Sequence, residues 1–334
     1  MNPFVQGLLD WYEANRRYLP WREENTPYRV FLSEIMLQQT RVSSAIPYFE
    51  RFVEAYPSFQ HLASAEEEDV LRLWQGLGYY SRARNLLCAA KIVVERHNGE
   101  LPKDLDCLKA LPGVGDYVSR AVLSIAFDEP FVAVDGNLMR VYARLEAKAV
   151  EPSDPKAKKE CAAYLEERIE SPSRFNQALM DLGELVCLPH GAPLCVSCPF
   201  ASLCKAHRMG KEEAYPLLKR KNAPKREDVT VLLAVSHGSV AVKTRPQEGL
   251  LASMHEFPNR PGKLSAEELT KEFPSVSGIR YLGKATHRFS HRLWDMYVYV
   301  GEGVAQGCDS IPLEEIKTRC ALPTAFVKAL KLLD

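Results

Sequence analysis

LPGVGDYVSRAVLSIAF, residues 111–127, carries two glycines, Gly113 and Gly115, at the junction of two helical patterns. Before it, DLDCLKA closes a helix; from Tyr117 onward YVSRAVLSIAF opens another. Glycines at i and i+2 permit a tight turn and a close backbone approach. A hairpin of this kind aims its free N–H groups, and the positive end of the second helix, at an anion. The segment therefore predicts a helix-hairpin-helix grip on a phosphate by Gly113, Val114 and Gly115, with Leu111 as a packing anchor.

About 20 residues on, VAVDGNLMRV (132–141) places Asp135 between an apolar run and a further helix. The intervening helix returns the chain to the hairpin, so Asp135 is expected beside whatever the hairpin binds. A carboxylate there can cap the helix or stabilise a positive charge that develops on a reacting sugar.

Working outward, residues 1 to about 208 read as helices. Apolar residues recur every three or four positions in PFVQGLLDWYEANRRYL, VSSAIPYFERFVEAY and DVLRLWQGLGYYSRARNLLCAAKIVVERH, with breaks at prolines 20, 27, 57, 102, 112 and 130. A polar linker is expected over residues 210–228. Beyond it, VTVLLAVS, SVAVKTR and LWDMYVYV are β-branched and aromatic runs, with helical patterns in SAEELTKEF and TAFVKALKLLD. The expectation is a helical domain over 1–209 and a small α+β domain over 229–334.

The chain has 334 residues, enough for two cores, and its 46% hydrophobic and 26% charged content is that of a globular protein. With 43 basic and 43 acidic residues, total charge says nothing about nucleic acid. Locally, KRKNAPKR (219–226) has five basic residues in eight, read as a solvated linker or a nucleic-acid patch. Charged residues in the first turns argue against a signal peptide, and no apolar run is long enough to span a bilayer. A cytosolic, nucleoid-associated monomer without membrane contact is expected.

Of nine cysteines, Cys187, Cys195, Cys198 and Cys204 crowd together as C-x7-C-x2-C-x5-C. Four thiolates in so short a span suit structural zinc or an iron–sulfur cluster, and spacing alone does not decide.

LPGVG, then VDGN about 20 residues later, then four cysteines, resembles the helix-hairpin-helix DNA glycosylases, and among them the MutY adenine glycosylases. LPWR (19–22), SEIMLQQT (33–40), GLGYYSRARNL (76–86), FNQALMDLG (175–183) and RFSH (288–291) extend the likeness in order along nearly the whole chain. The resemblance implies a helix-hairpin-helix glycosylase fold with a 4Fe-4S cluster in the cysteine loop, and a C-terminal Nudix-like domain. It implies an enzyme that excises adenine opposite 8-oxoguanine or guanine in double-stranded DNA. Glu34 matches the catalytic acid. Its apolar neighbours Phe31, Leu32, Ile35 and Met36 should raise its pKa, as protonation of a purine leaving group requires. Asp135 matches the partner carboxylate, in the two-carboxylate logic of glycoside hydrolysis, with Asn137 in support.

Tyr117 stands where bifunctional relatives carry a Schiff-base lysine, which argues for a monofunctional enzyme. By the same resemblance Gln177, Arg22 and Trp21 read the flipped adenine, while Gln39 and Tyr79 intrude into the duplex. Arg82 and Arg84 are read as phosphate contacts or surface charges. Phe289, Ser290 and His291 are expected at 8-oxoguanine, with Ser290 reading the base.

Three departures stand out. The first cysteine gap, LPHGAPL, is one residue longer than usual and carries no fixed positive charge, so the loop must bulge. His255 replaces an expected tryptophan. No glutamate-rich Nudix box is present, so the C-terminal domain should bind without hydrolysing. Two other readings remain: an endonuclease III-like glycosylase/lyase acting on oxidised pyrimidines, and a silent lesion-binding protein. Tyr117 and Glu34 count against the first, and Glu34 with Asp135 against the second.

Overall fold

A computed structural model describes residues 2–217 and 223–333. The chain divides into two compact units, residues 1–64 with 85–220, and residues 65–84 with 221–334. This corrects the expected boundary. The segment 65–84, expected within one long helical pattern of the N-terminal domain, belongs with the C-terminal unit. Of the basic run 219–226, the first four residues lie outside the described residues.

The helices run α1 Pro3–Asn15, α2 Pro20–Glu23, α3 Pro27–Leu37, α4 Val42–Ala55, α5 Phe59–Ala63, α6 Glu67–Leu73 and α7 Ser81–His97. They continue as α8 Leu105–Lys109, α9 Asp116–Phe127, α10 Gly136–Leu145, α11 Pro155–Glu166, α12 Pro172–Leu185 and α13 Lys205–Arg208. Proline at the first turn of α1, α2, α3, α11 and α12 fixes φ where no N–H partner is needed. In the first unit α9 is central, packed on α3 and α12, while α12 also packs on α1 and α10. Phe4 stacks on Phe200 with centroids 4.2 Å apart, tying α1 to the cysteine loop. Among the described residues no helix is long and apolar enough to cross a membrane.

The hairpin forms between α8 and α9. Leu111 and Val114 are buried, the Val114 N–H donates to Leu111 O at 3.1 Å, and Gly115 is the N-cap of α9. Gly113 has φ +77°, and a Cβ there would lie 2.8 Å from Cβ of Asn85. Gly113→Ala meets both the left-handed penalty and this clash. It is expected to cost about 1–2 kcal/mol in chemical denaturation and to weaken duplex binding. Unchanged binding would show that the turn grips no phosphate.

In the second unit β1 (Lys225–Ser236), β2 (Ser239–Thr244), β3 (His255–Glu256), β4 (Asn259–Pro261), β5 (Val276–Arg288), β6 (Arg292–Gly303) and β7 (Asp309–Pro312) form one mixed sheet. Its main order is β3-β2-β1-β6-β5, with β4 on β1 and β7 on β2. The central pair β1 and β6 is parallel, with Val231 opposite Val298. Period-2 alternation divides β1. Val229, Val231 and Leu233 face a core shared with α15 (Ile316–Arg319) and α16 (Thr324–Leu330), while Leu232 and Ala234 face a core shared with α14 (Ala266–Glu272). A sheet covered on both faces accounts for the continuous apolar run in β1.

Candidate active site

Helix α3 is buried along Tyr28 and Val30–Met36, so Glu34 places its carboxyl among apolar side chains. Glu34 is 6% exposed, and its Oε2 has no hydrogen-bond partner among the described residues. Burial pushes its pKa up to about 7; the charge of Asp135 adds to the rise, while a hydrogen bond from Tyr117 and the charge of Arg22 oppose it. Burial, then the two carboxylates, hold the Tyr117 hydroxyl well above its usual range, so it remains a donor.

Asp135 is the N-cap of α10. Its Oδ1 accepts the Leu138 N–H at 2.8 Å and its Oδ2 accepts Asn137 Nδ2 at 2.9 Å. Burial raises its pKa, against these hydrogen bonds and the charge of Arg140. Asn137 is itself held: its Oδ1 accepts Arg140 Nη2 at 2.8 Å. Arg140 also donates to Gly183 O and to Cys187 O, each at 2.7 Å. Helices α10 and α12 approach closely here because Gly183 has no side chain; a Cβ would sit 2.6 Å from Cβ of Asn137.

A cavity of about 380 Å³ brings both carboxylates together with Tyr117, Asn137, Gln39 and the three residues expected to read adenine. Gln177 is tethered through Nε2 to Ser173 O and Oγ, both at 3.2 Å. Arg22 is clamped by Asp181, with Nη1 to Oδ2 at 2.7 Å and Nη2 to Oδ1 at 3.1 Å. Arg17 grips the same carboxylate from its Nη2 at 2.6 Å. Sequence reasoning missed Asp181. Its signal was an acid inside the apolar stretch LMDLG, four residues after Gln177. Asp181→Ala would leave two guanidinium groups without their anion. It is expected to cost about 3 kcal/mol by chemical denaturation and to loosen Arg22; a loss below about 1 kcal/mol would place the clamp among ordinary surface pairs.

The other expected residues lie elsewhere. Gly113, Val114 and Gly115 form the hairpin turn, two residues before Tyr117 on the same helix start. Tyr79, Phe289, Ser290 and His291 belong to the second unit, where they line a cavity of about 440 Å³. The hydroxyls of Tyr79 and Ser290 are hydrogen-bonded. Phe289 packs edge-on to His287 and Trp294, and its N–H donates to Arg292 O at 2.8 Å, closing the turn. Arg82 departs from both readings given to it: it is buried, and donates to Gly78 O at 2.9 Å. Arg84 also points inward, to Ala252 O at 2.8 Å.

Cys187, Cys195, Cys198 and Cys204 converge on one small cavity, which Arg144 also lines. The Arg144 Nη1 donates to Cys187 Sγ at 3.2 Å and to Leu188 O at 2.9 Å. Burial first, then neighbouring negative charge, pushes Cys195 up to about 11 and Cys198 up to about 12. Burial likewise raises Cys204, so three thiols that resist ionisation gather with Cys187, which a fixed cation contacts, in a donor set whose protons a multivalent metal centre would displace. The long first gap closes through a bulge in which Gly191 takes φ +72° and the Leu194 N–H reaches back to Val186 O at 2.9 Å. Beside Cys195, Glu212 pairs with His207.

A family model described as the HhH-GPD superfamily base excision DNA repair protein matches residues 32–168, and a NUDIX domain model matches residues 230–332. Adenine DNA glycosylase of Rattus norvegicus is 32% identical, the match covering 99% of this chain and 78% of the relative. The human adenine DNA glycosylase is also 32% identical, over 98% of this chain and 73% of its own length. That of Buchnera aphidicola from Schizaphis graminum is 33% identical, over 86% and 84% respectively. The solved structure of a thermostable thymine-DNA glycosylase is similar with a TM-score of 0.57 and 26% identity, over 62% of this chain and 95% of that one. A non-covalent endonuclease III–DNA complex shares the fold, with a TM-score of 0.52 at 24% identity, over 62% and 94%.

Proposed function

Since this chain belongs to the adenine DNA glycosylases, base-excision repair enzymes that hydrolyse an N-glycosidic bond, we propose that it removes adenine paired with 8-oxoguanine or guanine without a lyase step. The observation that carries this reading is the pair of unlike carboxyls on one cavity. Burial lets Glu34 keep its proton up to about pH 7, and Asp135 is held by two donors that favour its anion.

The hairpin grips the backbone of the duplex, and adenine turns out of the stack into the cavity. Arg22 and Gln177 present donors and an acceptor to its edge, and Trp21 walls it. Glu34 gives its proton to a ring nitrogen of the base, and the C1′–N9 bond breaks with its electron pair leaving on neutral adenine. Asp135 stabilises the oxocarbenium-like sugar. A water then adds at C1′, and its proton returns to Glu34, leaving an abasic site. Tyr117 cannot form a Schiff base, so no strand cleavage follows. In the second unit, Ser290 reads 8-oxoguanine, its hydroxyl able to donate and accept, and Tyr79 enters the duplex; Gln39 of the first unit enters it too. Cys187, Cys195, Cys198 and Cys204 would hold a 4Fe-4S cluster, which would supply a rigid anchor for the loop that Arg140 and Arg144 tie to α10.

A labelled duplex with adenine opposite 8-oxoguanine tests the reaction. Strand breaks only after alkali are expected. Direct breaks would indicate a lyase, and a shifted band without product a binding protein. Ser290→Ala is expected to reduce the preference for 8-oxoguanine over guanine. For the cluster, the purified protein should be brown, with iron absorption in the visible that zinc cannot give.

A further inference from the structure

We propose that Arg82 is a positioning residue that fixes Tyr79 against Ser290, and thereby sets the preference for 8-oxoguanine over guanine opposite adenine; this rests on the lesion-reading role of that cavity proposed above. Tyr79 sits in the turn joining α6 to α7. The turn is not regular: Gly76, Gly78 and Tyr79 all have positive φ, and for tyrosine the value of +50° is costly unless neighbours impose it.

Arg82 and its neighbours supply that constraint. Its guanidinium donates to Gly78 O at 2.9 Å and to Leu77 O at 3.4 Å. Trp74 Nε1 donates to the same Gly78 carbonyl at 3.0 Å, and the Gly76 N–H donates to Tyr80 Oη at 3.1 Å. The carbonyls just before Tyr79 are thereby fixed in direction. The guanidinium carbon also lies 5.3 Å from the Trp74 ring centroid and 5.5 Å from that of Tyr79, within cation–π range of both. Arg82 is 6% exposed, whereas Tyr79 is 41% exposed. Burial draws the Arg82 pKa down to about 10, which leaves it a cation at neutral pH.

The arrangement is a buried staple beneath an accessible ring. The staple sets the ring's angle, and the ring's hydroxyl meets Ser290. A hydroxyl that both donates and accepts discriminates 8-oxoguanine from guanine only if its partner holds it in one orientation. A loosened Tyr79 therefore costs selectivity as well as affinity. Lysine keeps the charge of Arg82 but lacks the flat guanidinium that lies near both rings while its Nη2 holds the two carbonyls.

The test is a double-mutant cycle on the full chain. Single-turnover rates are measured on duplexes with adenine opposite 8-oxoguanine and opposite guanine, and the ratio is the readout. Arg82→Lys and Tyr79→Ala are each expected to lower the ratio about tenfold, and the double variant to match Tyr79→Ala within about twofold. A merely structural role for Arg82 predicts additive losses, and additivity would overturn the proposal. So would a full ratio in Arg82→Lys when Tyr79→Ala has lost it. If Arg82→Lys fails to fold, Trp74→Phe removes the second donor to Gly78 O and goes through the same cycle, with the same two results deciding. An unaltered ratio in Tyr79→Ala would overturn the lesion-reading role itself, and this inference with it.

Discussion

Glu34→Gln is expected to lower adenine release by about 10²–10⁴-fold while leaving duplex binding in place. Glutamine fills the same space on α3 and carries no transferable proton. The parent enzyme should also lose rate as pH rises through about 7, because Glu34 ionises there and the ionised form has no proton to give. The variant should lack that limb. Single-turnover rates across pH, beside a binding titration on uncleaved duplex, check both points. Loss of binding and rate together would make Glu34 structural, and a falling limb retained in Glu34→Gln would assign the titration to another group.

The burial that suits Glu34 to the proposed proton transfer also destabilises the fold, and the sign is opposite to that of most carboxylates. The folded pKa is near 7, above the ordinary unfolded value near 4.3. Between these values the folded chain holds a proton that the unfolded chain has released. Stability therefore falls as pH rises through that window, and the full penalty, about 3–4 kcal/mol, persists above it. Glutamine pays none of it. The stability of Glu34→Gln relative to the parent should grow by up to that amount between about pH 4 and pH 8, measured by denaturant unfolding. A difference constant with pH would mean that Glu34 is solvated in the native state.

Features that rest on local backbone chemistry were legible in the sequence, and those that rest on tertiary partners were not. Gly113 marked the hairpin because its φ of +77° is one that glycine takes without strain, whereas Gly115 has extended backbone open to any residue. The runs 229–236, 239–245 and 293–300 became β1, β2 and β6 because their alternation is a property of the chain itself. The stretch 69–97 kept its helical spacing through Leu71, Trp74 and Leu77, yet the structure breaks it between α6 and α7. The spacing could not disclose that Trp74 and Arg82 satisfy the carbonyls of an irregular turn. Strand β5 escaped notice for the reverse reason. VSGIRYLGKATHR is interrupted by Gly278, Gly283 and scattered charges. It is an edge strand with two register shifts, held by β6 on one side and by α14 and α16. His255, standing where tryptophan was expected, is half-buried on β3 within 3.9 Å of Glu68. That contact depends on residues 65–84 joining the second unit. At the active site, the family resemblance pointed to Glu34 and Asn137, and Asp135 was suggested by its distance from the hairpin as well. The clamps formed by Asp181 and Arg140 appear only when α2, α10 and α12 are assembled.

Asp135→Asn is expected to be nearly as damaging as loss of the acid, for a reason fixed by hydrogen-bond polarity. A guanidinium can only donate, so Arg140 compels Asn137 to present its oxygen. Asn137 must then present its Nδ2 to Asp135, and the Leu138 N–H occupies the other carboxylate oxygen. Both oxygens of Asp135 face donors, which favours the anion against the burial that raises its pKa. Asparagine can still cap α10 through its oxygen, so the helix start survives. Its amide nitrogen must then face the nitrogen of Asn137, two donors without an acceptor, and Arg140 prevents Asn137 from turning over. A stability loss of about 1–3 kcal/mol should accompany a fall in rate of about 10²–10³-fold. Reversing the polarity of the neighbour separates the two effects. Asn137→Asp in the Asp135→Asn background restores an acceptor opposite the new amide, but places it against Arg140 rather than the sugar. Stability should recover and the rate should not. Recovery of both would show that Asp135 serves only as a cap, and that the charge opposing the sugar cation comes from another residue.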